Sequence, residues 1–181
     1  MQGADMMSYV KMESGIERYQ YIIDNLRNTN VRENKVFQTK FKGFYFTAPK
    51  RAEWYDAYFS MFEDYKAIKP TFEELLRNFA DIMGSCEASF ISKMLNAIDD
   101  SQVIIDRKTL EYYGLGLKRD GSLESKIKHA LKVYAILTEK MNETLNADKV
   151  KEAIKTFNSY YPNNYSDLRK LDFLIIYGVI S

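Results

Sequence analysis

Residues 70–117 read PTFEELLRNFADIMGSCEASFISKMLNAIDDSQVIIDRKTLEYYGLGL, and this stretch decides the fold of the chain. Thr71, with Glu74 three residues later, forms a capping-box pattern, which marks the start of a helix. The apolar residues that follow recur at helical spacing: Phe72, Leu75, Leu76, Phe79, Ile82 and Met83. One amphipathic helix is therefore predicted over about 71–83. Gly84 follows it, where a left-handed turn carries no steric penalty.

The second half of this stretch predicts two more helices. The first of them carries the apolar residues Ala88, Phe90, Ile91, Met94, Leu95 and Ile98. A short apolar run, 103–105, then leads to Asp106, a residue type that caps helix N-termini well. The third helix is expected to continue through Leu110 and Tyr113. The order is thus helix, glycine-bearing hairpin, helix, short connection and Asp-capped helix.

This arrangement resembles the helix-hairpin-helix superfamily of DNA base-excision glycosylases. In that family a Leu-Pro-Gly-x-Gly hairpin joins two helices, and an Asp about twenty residues later opens the next helix. Here residues 82–86, IMGSC, fall on the hairpin, and Asp106 follows Cys86 by 20 residues. The resemblance implies an all-α, two-lobed helical bundle spanning 1–181 as a single domain, with an active site between the lobes and DNA as the partner.

Three departures from the family pattern bear on the reaction. Met83 and Cys86 replace the hairpin's proline and second glycine, which alters a turn that presents amide N–H groups to a phosphate. The catalytic Lys of bifunctional members falls on Ala88. Lys93 lies five residues further on, about 140° around the helix. The single Cys excludes the four-Cys iron–sulfur cluster of some members. The resemblance therefore implies a monofunctional enzyme.

Asp106 is the candidate catalytic residue. Breaking an N-glycosidic bond builds positive charge on the sugar, which a carboxylate can stabilise while it activates a water. The alternative role is an ordinary helix cap, worth about 1 kcal/mol. The two roles are compatible, and the spacing from the hairpin favours catalysis.

Two further groups of residues are candidates for contacts with DNA. The candidates for binding the DNA itself are Gly84, Ser85 and Cys86 of the hairpin together with Lys93, Lys40 and Lys42. The candidates for gripping a flipped base are the aromatic residues Trp54, Tyr55, Tyr112 and Tyr113. Each of these aromatics has an alternative role as an ordinary core or surface residue.

Charge is separated along the chain. Residues 27–51 carry seven basic residues and one acidic, whereas 52–106 carry eleven acidic and four basic. Within 35–50 the lysines alternate with aromatics, a pattern that suits single-stranded nucleic acid, although the same aromatics could instead be buried in the core. The acidic hairpin region counts against DNA docking there. The alternative function is a catalytically inactive member of the fold that serves as a nucleic-acid or protein interaction module.

Composition sets further bounds. With 46% apolar and 28% charged residues, the chain belongs with folded globular proteins. No run approaches eighteen apolar residues and no secretory signal is evident, so we expect a cytoplasmic protein without a membrane span. One His, one Cys, no metal-loop spacing and no glycine-rich phosphate loop give no reason to expect a metal or cofactor.

The rest of the chain also predicts helices. They are expected over about 16–27, from a start at 47–49, over 122–143 and 147–160, and from a Ser166 cap to the C-terminal region. An all-helical domain of seven to nine helices is the economical interpretation.

Overall fold

The computed structural model describes residues 3–45 and 49–180, and the regular structure within those ranges is entirely helical. Nine helices are described: α1 (Gly3–Leu26), α2 (Lys35–Tyr45), α3 (Ala52–Tyr65), α4 (Phe72–Met83), α5 (Ala88–Ile98), α6 (Arg107–Tyr112), α7 (Leu123–Thr144), α8 (Asp148–Tyr160) and α9 (Asp167–Ile176). The prediction of an all-α domain with seven to nine helices is confirmed. The predicted helix start at 47–49 falls partly outside the described residues, and α3 begins at Ala52.

Several helix ends follow directly from local sequence. The side chains of Thr71, Asp106, Ser122 and Ser166 each accept a backbone N–H two or three residues ahead, at 3.0 to 3.2 Å, and cap α4, α6, α7 and α9. Gly84 ends α4 at φ +67°, in the left-handed region that glycine adopts without strain. The capping signals in the sequence therefore act as predicted.

Buried apolar side chains form one continuous core. In α2, Phe37, Phe41 and Tyr45 point into it, which supports the core interpretation of these aromatics. Phe41 contacts rings of α3, among them Phe59 and Phe62, at centroid distances of 5.9 and 5.2 Å. Aromatic packing between α2 and α3 thus builds one side of the core.

Helix packing brings distant parts of the chain together. α1 packs on α2 and α5, α4 packs on α3, α5 and α7, and α9 packs on α6, α7 and α8. The connection before α6 is held against α5, because the backbone N–H of Ile105 donates to the Ser92 hydroxyl at 2.9 Å. This hydrogen bond fixes the start of α6 beside α5. None of the helices within the described ranges is both long and apolar enough to cross a membrane.

Candidate functional site

A cavity of about 560 Å³ lies where α1, the end of α2, α5, the start of α6 and α9 meet. Its charged lining residues are Arg18, Lys93, Asp106, Arg107, Lys108, Arg169 and Asp172. Its aromatic lining residues are Phe44, Tyr45, Phe173 and Tyr177. The cavity therefore combines aromatic walls with a cationic excess and two carboxylates.

Asp106 is the residue immediately before α6, and it lines this cavity. One carboxylate oxygen, Oδ1, accepts the backbone N–H of Lys108 at 3.0 Å, and the side chain is half-buried. Ile104 and Ile105 immediately before it are buried and anchor the connection. Asp106 is thus a helix cap and also a wall of the cavity, as the sequence allowed.

Lys93 lines the same cavity from the middle of α5. Its side chain is buried, with 8% of the residue's surface exposed, and Nζ donates to the backbone oxygen of Tyr45 at 3.0 Å. Burial lowers the pKa of Lys93, and the negative charges of Asp106 and Asp172 oppose that shift only in part. The cavity therefore contains an amine that sheds its proton more readily than an ordinary lysine.

The side chain of Lys93 enters the cavity by a different geometry from the one that the family pattern specifies. Ala88, at the family position of the catalytic lysine, is buried in the core. A lysine within an otherwise largely apolar helix was the only sequence signal for this placement. Such a signal does not show which side chains the lysine meets, because that depends on the helices that pack against α5.

A buried ion pair closes one side of the cavity. Arg169 is 2% exposed, and its guanidinium carbon lies 4.1 Å from the ring centroids of both Tyr19 and Phe173. The guanidinium donates to Asp172, whose other carboxylate oxygen accepts the Thr109 hydroxyl at 3.1 Å. This network joins α1, α6 and α9 around the cavity.

Titration of the buried groups follows from their surroundings. Burial raises the pKa of Asp172 to about 6, despite the opposing charge of Arg169. Burial likewise raises the pKa of Tyr19 and Tyr45. Above about pH 6, Asp172 is ionised and neutralises the charge of Arg169.

The wall between α1 and α9 depends on a glycine. A Cβ at Gly15 would lie 1.9 Å from the Tyr177 hydroxyl oxygen, so no larger residue fits while that ring keeps its place. Burial raises the pKa of Tyr177, and the charges of Arg169 and of Arg18, which lies one turn further along α1, oppose that rise. Gly15 thus allows the Tyr177 ring and Arg18 to share one edge of the cavity.

No protein-family profile, curated protein or solved structure matches this chain. The residues of the cavity are therefore the basis for a function. Among the described residues, no group of three His, Cys, Asp or Glu side chains could hold a metal ion.

The predicted base-gripping aromatics lie outside the lining of this cavity. Trp54 is 5% exposed and stacks on Tyr58 in the core, at a ring centroid distance of 4.9 Å. The Tyr55 hydroxyl accepts the backbone N–H of Lys50. Tyr112 packs edge-on against Tyr113, and the hydroxyl of Tyr113 donates to Thr144. The aromatic residues that do line the cavity are Phe44 and Tyr45 at the end of α2, and Phe173 and Tyr177 in the last turn of α9 and directly after it.

Of the two predicted DNA-contacting lysines of α2, Lys40 is exposed and lies over the Tyr21 ring, whereas Lys42 is half-buried and lies over the Tyr55 ring. The hairpin borders a second, shallower depression of about 410 Å³, lined by Gly84, Ser85 and Cys86 and by Leu123. Three basic residues that follow α6 in the sequence also line it: Lys118, Arg119 and Lys126. Burial raises the pKa of the half-buried Cys86 thiol, so this thiol is not an activated nucleophile. The acidic hairpin region is thus accompanied by basic side chains from a later part of the chain.

Proposed function

We propose that this protein is a DNA base-excision enzyme that cleaves the N-glycosidic bond of a nucleotide flipped into the 560 Å³ cavity. The observation that carries the proposal is that the buried amine of Lys93 and the carboxylate of Asp106 line the same cavity. The deprotonated form of an amine is the nucleophile, and a lowered pKa increases the share of that form; a carboxylate in the same cavity stabilises positive charge on a sugar.

The chemistry assigns each residue a task. The neutral Lys93 amine attacks the sugar C1′, the C1′–N bond breaks, and the base leaves with the bonding electron pair and takes up a proton. Asp106 stabilises the charge that develops on the sugar and accepts the proton that the attacking nitrogen loses. The bond between C1′ and the ring oxygen then breaks, the ring oxygen takes the proton held by Asp106 and becomes a hydroxyl, and C1′ is left joined to Nζ of Lys93 as a protonated imine. This reaction uses the amine of Lys93 in place of the water-mediated hydrolysis that Ala88 led us to expect.

The walls of the cavity suit a flipped base. Bases stack on aromatic rings, and four aromatic side chains line the cavity: Phe44, Tyr45, Phe173 and Tyr177. A base held there lies in the same cavity as the amine and the carboxylate.

The hairpin depression supports DNA as the partner. Lys118, Arg119 and Lys126 line it together with Gly84 and Ser85 of the hairpin. Basic side chains of this kind neutralise phosphates, the term that dominates non-specific affinity for DNA. These cations offset the acidic character of the hairpin segment itself.

Covalent trapping tests the proposal. Duplex DNA with one abasic site is incubated with protein and borohydride, which reduces an imine to a stable amine, and the adduct is measured by denaturing electrophoresis. The wild type should form the adduct. Lys93→Met and Lys93→Arg should lose it, because neither side chain supplies a neutral amine at neutral pH. Asp106→Asn should slow it at least about tenfold.

The matched control is Lys155→Met, which removes an exposed lysine of α8 whose side chain is 79% exposed. This variant should trap like the wild type, and circular dichroism establishes that each variant is folded. Release of a damaged base from a separate duplex that still carries it, without trapping on the abasic duplex, would leave a hydrolytic enzyme that acts through Asp106. DNA binding without either reaction would favour the inactive interaction module, and the absence of DNA binding would refute a nucleic-acid function.

A further inference from the structure

The side chains that line the cavity carry more positive than negative charge. Five basic and two acidic side chains line it. Arg169 is paired with Asp172, and Asp106 and Asp172 act on Lys93 electrostatically. The remaining cations are Arg18, Arg107 and Lys108, and all three are exposed.

Two of these three cations, Arg18 and Arg107, make no strong ion pair with the described side chains. Arg107 makes only a long contact of 3.8 Å to Glu111, with both side chains well exposed, and such surface pairs contribute little. Arg18 has no ion-pair partner among the side chains of residues 7–45 and 49–180. By contrast, Nζ of Lys108 donates to the backbone oxygen of Ile176 at 2.7 Å and ties the start of α6 to the end of α9.

We propose that Arg18 and Arg107 form a phosphate-binding site at the solvent edge of the cavity, and that its occupant is the DNA backbone beside the flipped nucleotide. The inference rests on the proposed function in that it takes the flipped nucleotide to occupy the cavity. A guanidinium matches the geometry of a phosphate with two parallel N–H donors. Arg18 from α1 and Arg107 from α6 reach the same cavity from parts of the chain far apart in sequence.

This site has a different task from the Lys93 and Asp106 pair. Phosphate contacts fix the register of a nucleic acid on a protein without reading its sequence. A flipped nucleotide is held by the backbone on either side of it, so cations at the cavity edge position its sugar against Lys93. Arg18 and Arg107 are therefore positioning residues.

Salt-dependent binding tests the site. Affinity for fluorescent duplex DNA with a stable abasic analogue is measured by anisotropy between about 50 and 200 mM salt. The variants are Arg18→Gln, Arg107→Gln and the double variant. Each phosphate contact contributes about 0.9 to the slope of log affinity against log salt. Each single variant should reduce the slope by about one, and the double variant by about two.

Lys155→Gln is the control, because it removes the same charge from an exposed position on α8. Its slope should equal that of the wild type. Unchanged slopes in both arginine variants would overturn the phosphate site even if borohydride trapping succeeds. Reduced slopes without any trapping would instead support the phosphate site and overturn only the covalent chemistry.

A second arm identifies the source of the phosphate. Inorganic phosphate and a 5′-deoxymononucleotide are titrated into the protein in a calorimeter. The DNA backbone as occupant requires that both bind far more weakly than the duplex. Micromolar binding of either one that is lost in the double variant would overturn that assignment and indicate a free phosphate ester as the ligand.

Discussion

Asp172→Asn should remove a pH dependence of stability that the buried ion pair imposes. Asp172 is 2% exposed, accepts the Thr109 hydroxyl and pairs with Arg169, yet burial raises its pKa to about 6. Between about pH 4 and pH 6 the folded state binds a proton that the unfolded chain has released. The contribution of Asp172 to stability therefore falls as pH rises through that window, and it is constant above it.

The size of the effect follows from the pKa values. A rise in the pKa of Asp172 from its ordinary value of 3.8 to about 6 corresponds to about 3 kcal/mol of stability lost between pH 4 and pH 6. Asp99 and Glu124 have lowered pKa values, so they contribute the opposite slope. The difference between wild type and Asp172→Asn isolates Asp172, because these other carboxylates are present in both proteins.

Urea unfolding at half-unit pH steps from 4 to 7.5 measures the difference. The free energy of unfolding of Asp172→Asn, minus that of the wild type, should rise by about 3 kcal/mol from pH 4 to pH 6. The two proteins should differ least near pH 4, because protonated Asp172 and the substituted Asn are both neutral and leave Arg169 equally unpaired. Parallel pH curves for the two proteins would refute the reasoning, since they would mean that Asp172 titrates as it does in the unfolded chain.

Three further substitutions test local parts of the structure by urea unfolding. Gly15→Ala places a Cβ 1.9 Å from the Tyr177 hydroxyl oxygen and should lower the free energy of unfolding by about 1 to 3 kcal/mol. A second substitution in the same chain, Tyr177→Ala, should restore part of this loss. A Gly15→Ala variant as stable as the wild type would contradict this contact. In the wild type, the lowered pKa of Lys93 should increase stability as the pH rises towards about 10.4, the ordinary lysine pKa, and Lys93→Met should lack this gain. Parallel curves of unfolding free energy against pH for the two proteins, between pH 7 and 10, would disprove the burial of a titrating amine. Thr71→Ala should cost about 1 kcal/mol through loss of the α4 cap, whereas Thr71→Ser should retain most of it; equal losses would exclude a hydroxyl cap.

Local signals in the sequence were enough to locate most helix ends. Caps at Thr71, Asp106 and Ser166 act within three residues of themselves, so the chain near each of them specifies the outcome. Gly84 belongs to the same class, because its left-handed φ is a local requirement of the turn.

The start of α1 depends on distant residues. The sequence predicted a helix from about residue 16, whereas α1 begins at Gly3. Tyr9 is buried there because its ring stacks on Tyr160 at 5.4 Å and its hydroxyl donates to the backbone oxygen of Ala153, both in α8. A partner more than 140 residues away leaves no periodic signal in the local sequence.

The same distinction separates the parts of the candidate site. Asp106 was found because its spacing from the hairpin lies within one continuous stretch. Lys93, Arg169 and Tyr177 were not assigned to a cavity, because their meeting depends on how α1, α5 and α9 pack. Trp54 and Phe44 are both aromatic, and only tertiary packing decides that the first lies in the core and the second lines the cavity.

Mass spectrometry of the borohydride-reduced complex tests the central claim most directly. Wild-type protein is trapped on duplex DNA with an abasic site, digested with nuclease and protease, and searched for a lysine that carries the reduced sugar remnant. We predict that the remnant is attached to Nζ of Lys93. Attachment to the N-terminus or to another lysine, or the absence of any adduct under conditions in which the protein binds the DNA, would contradict it.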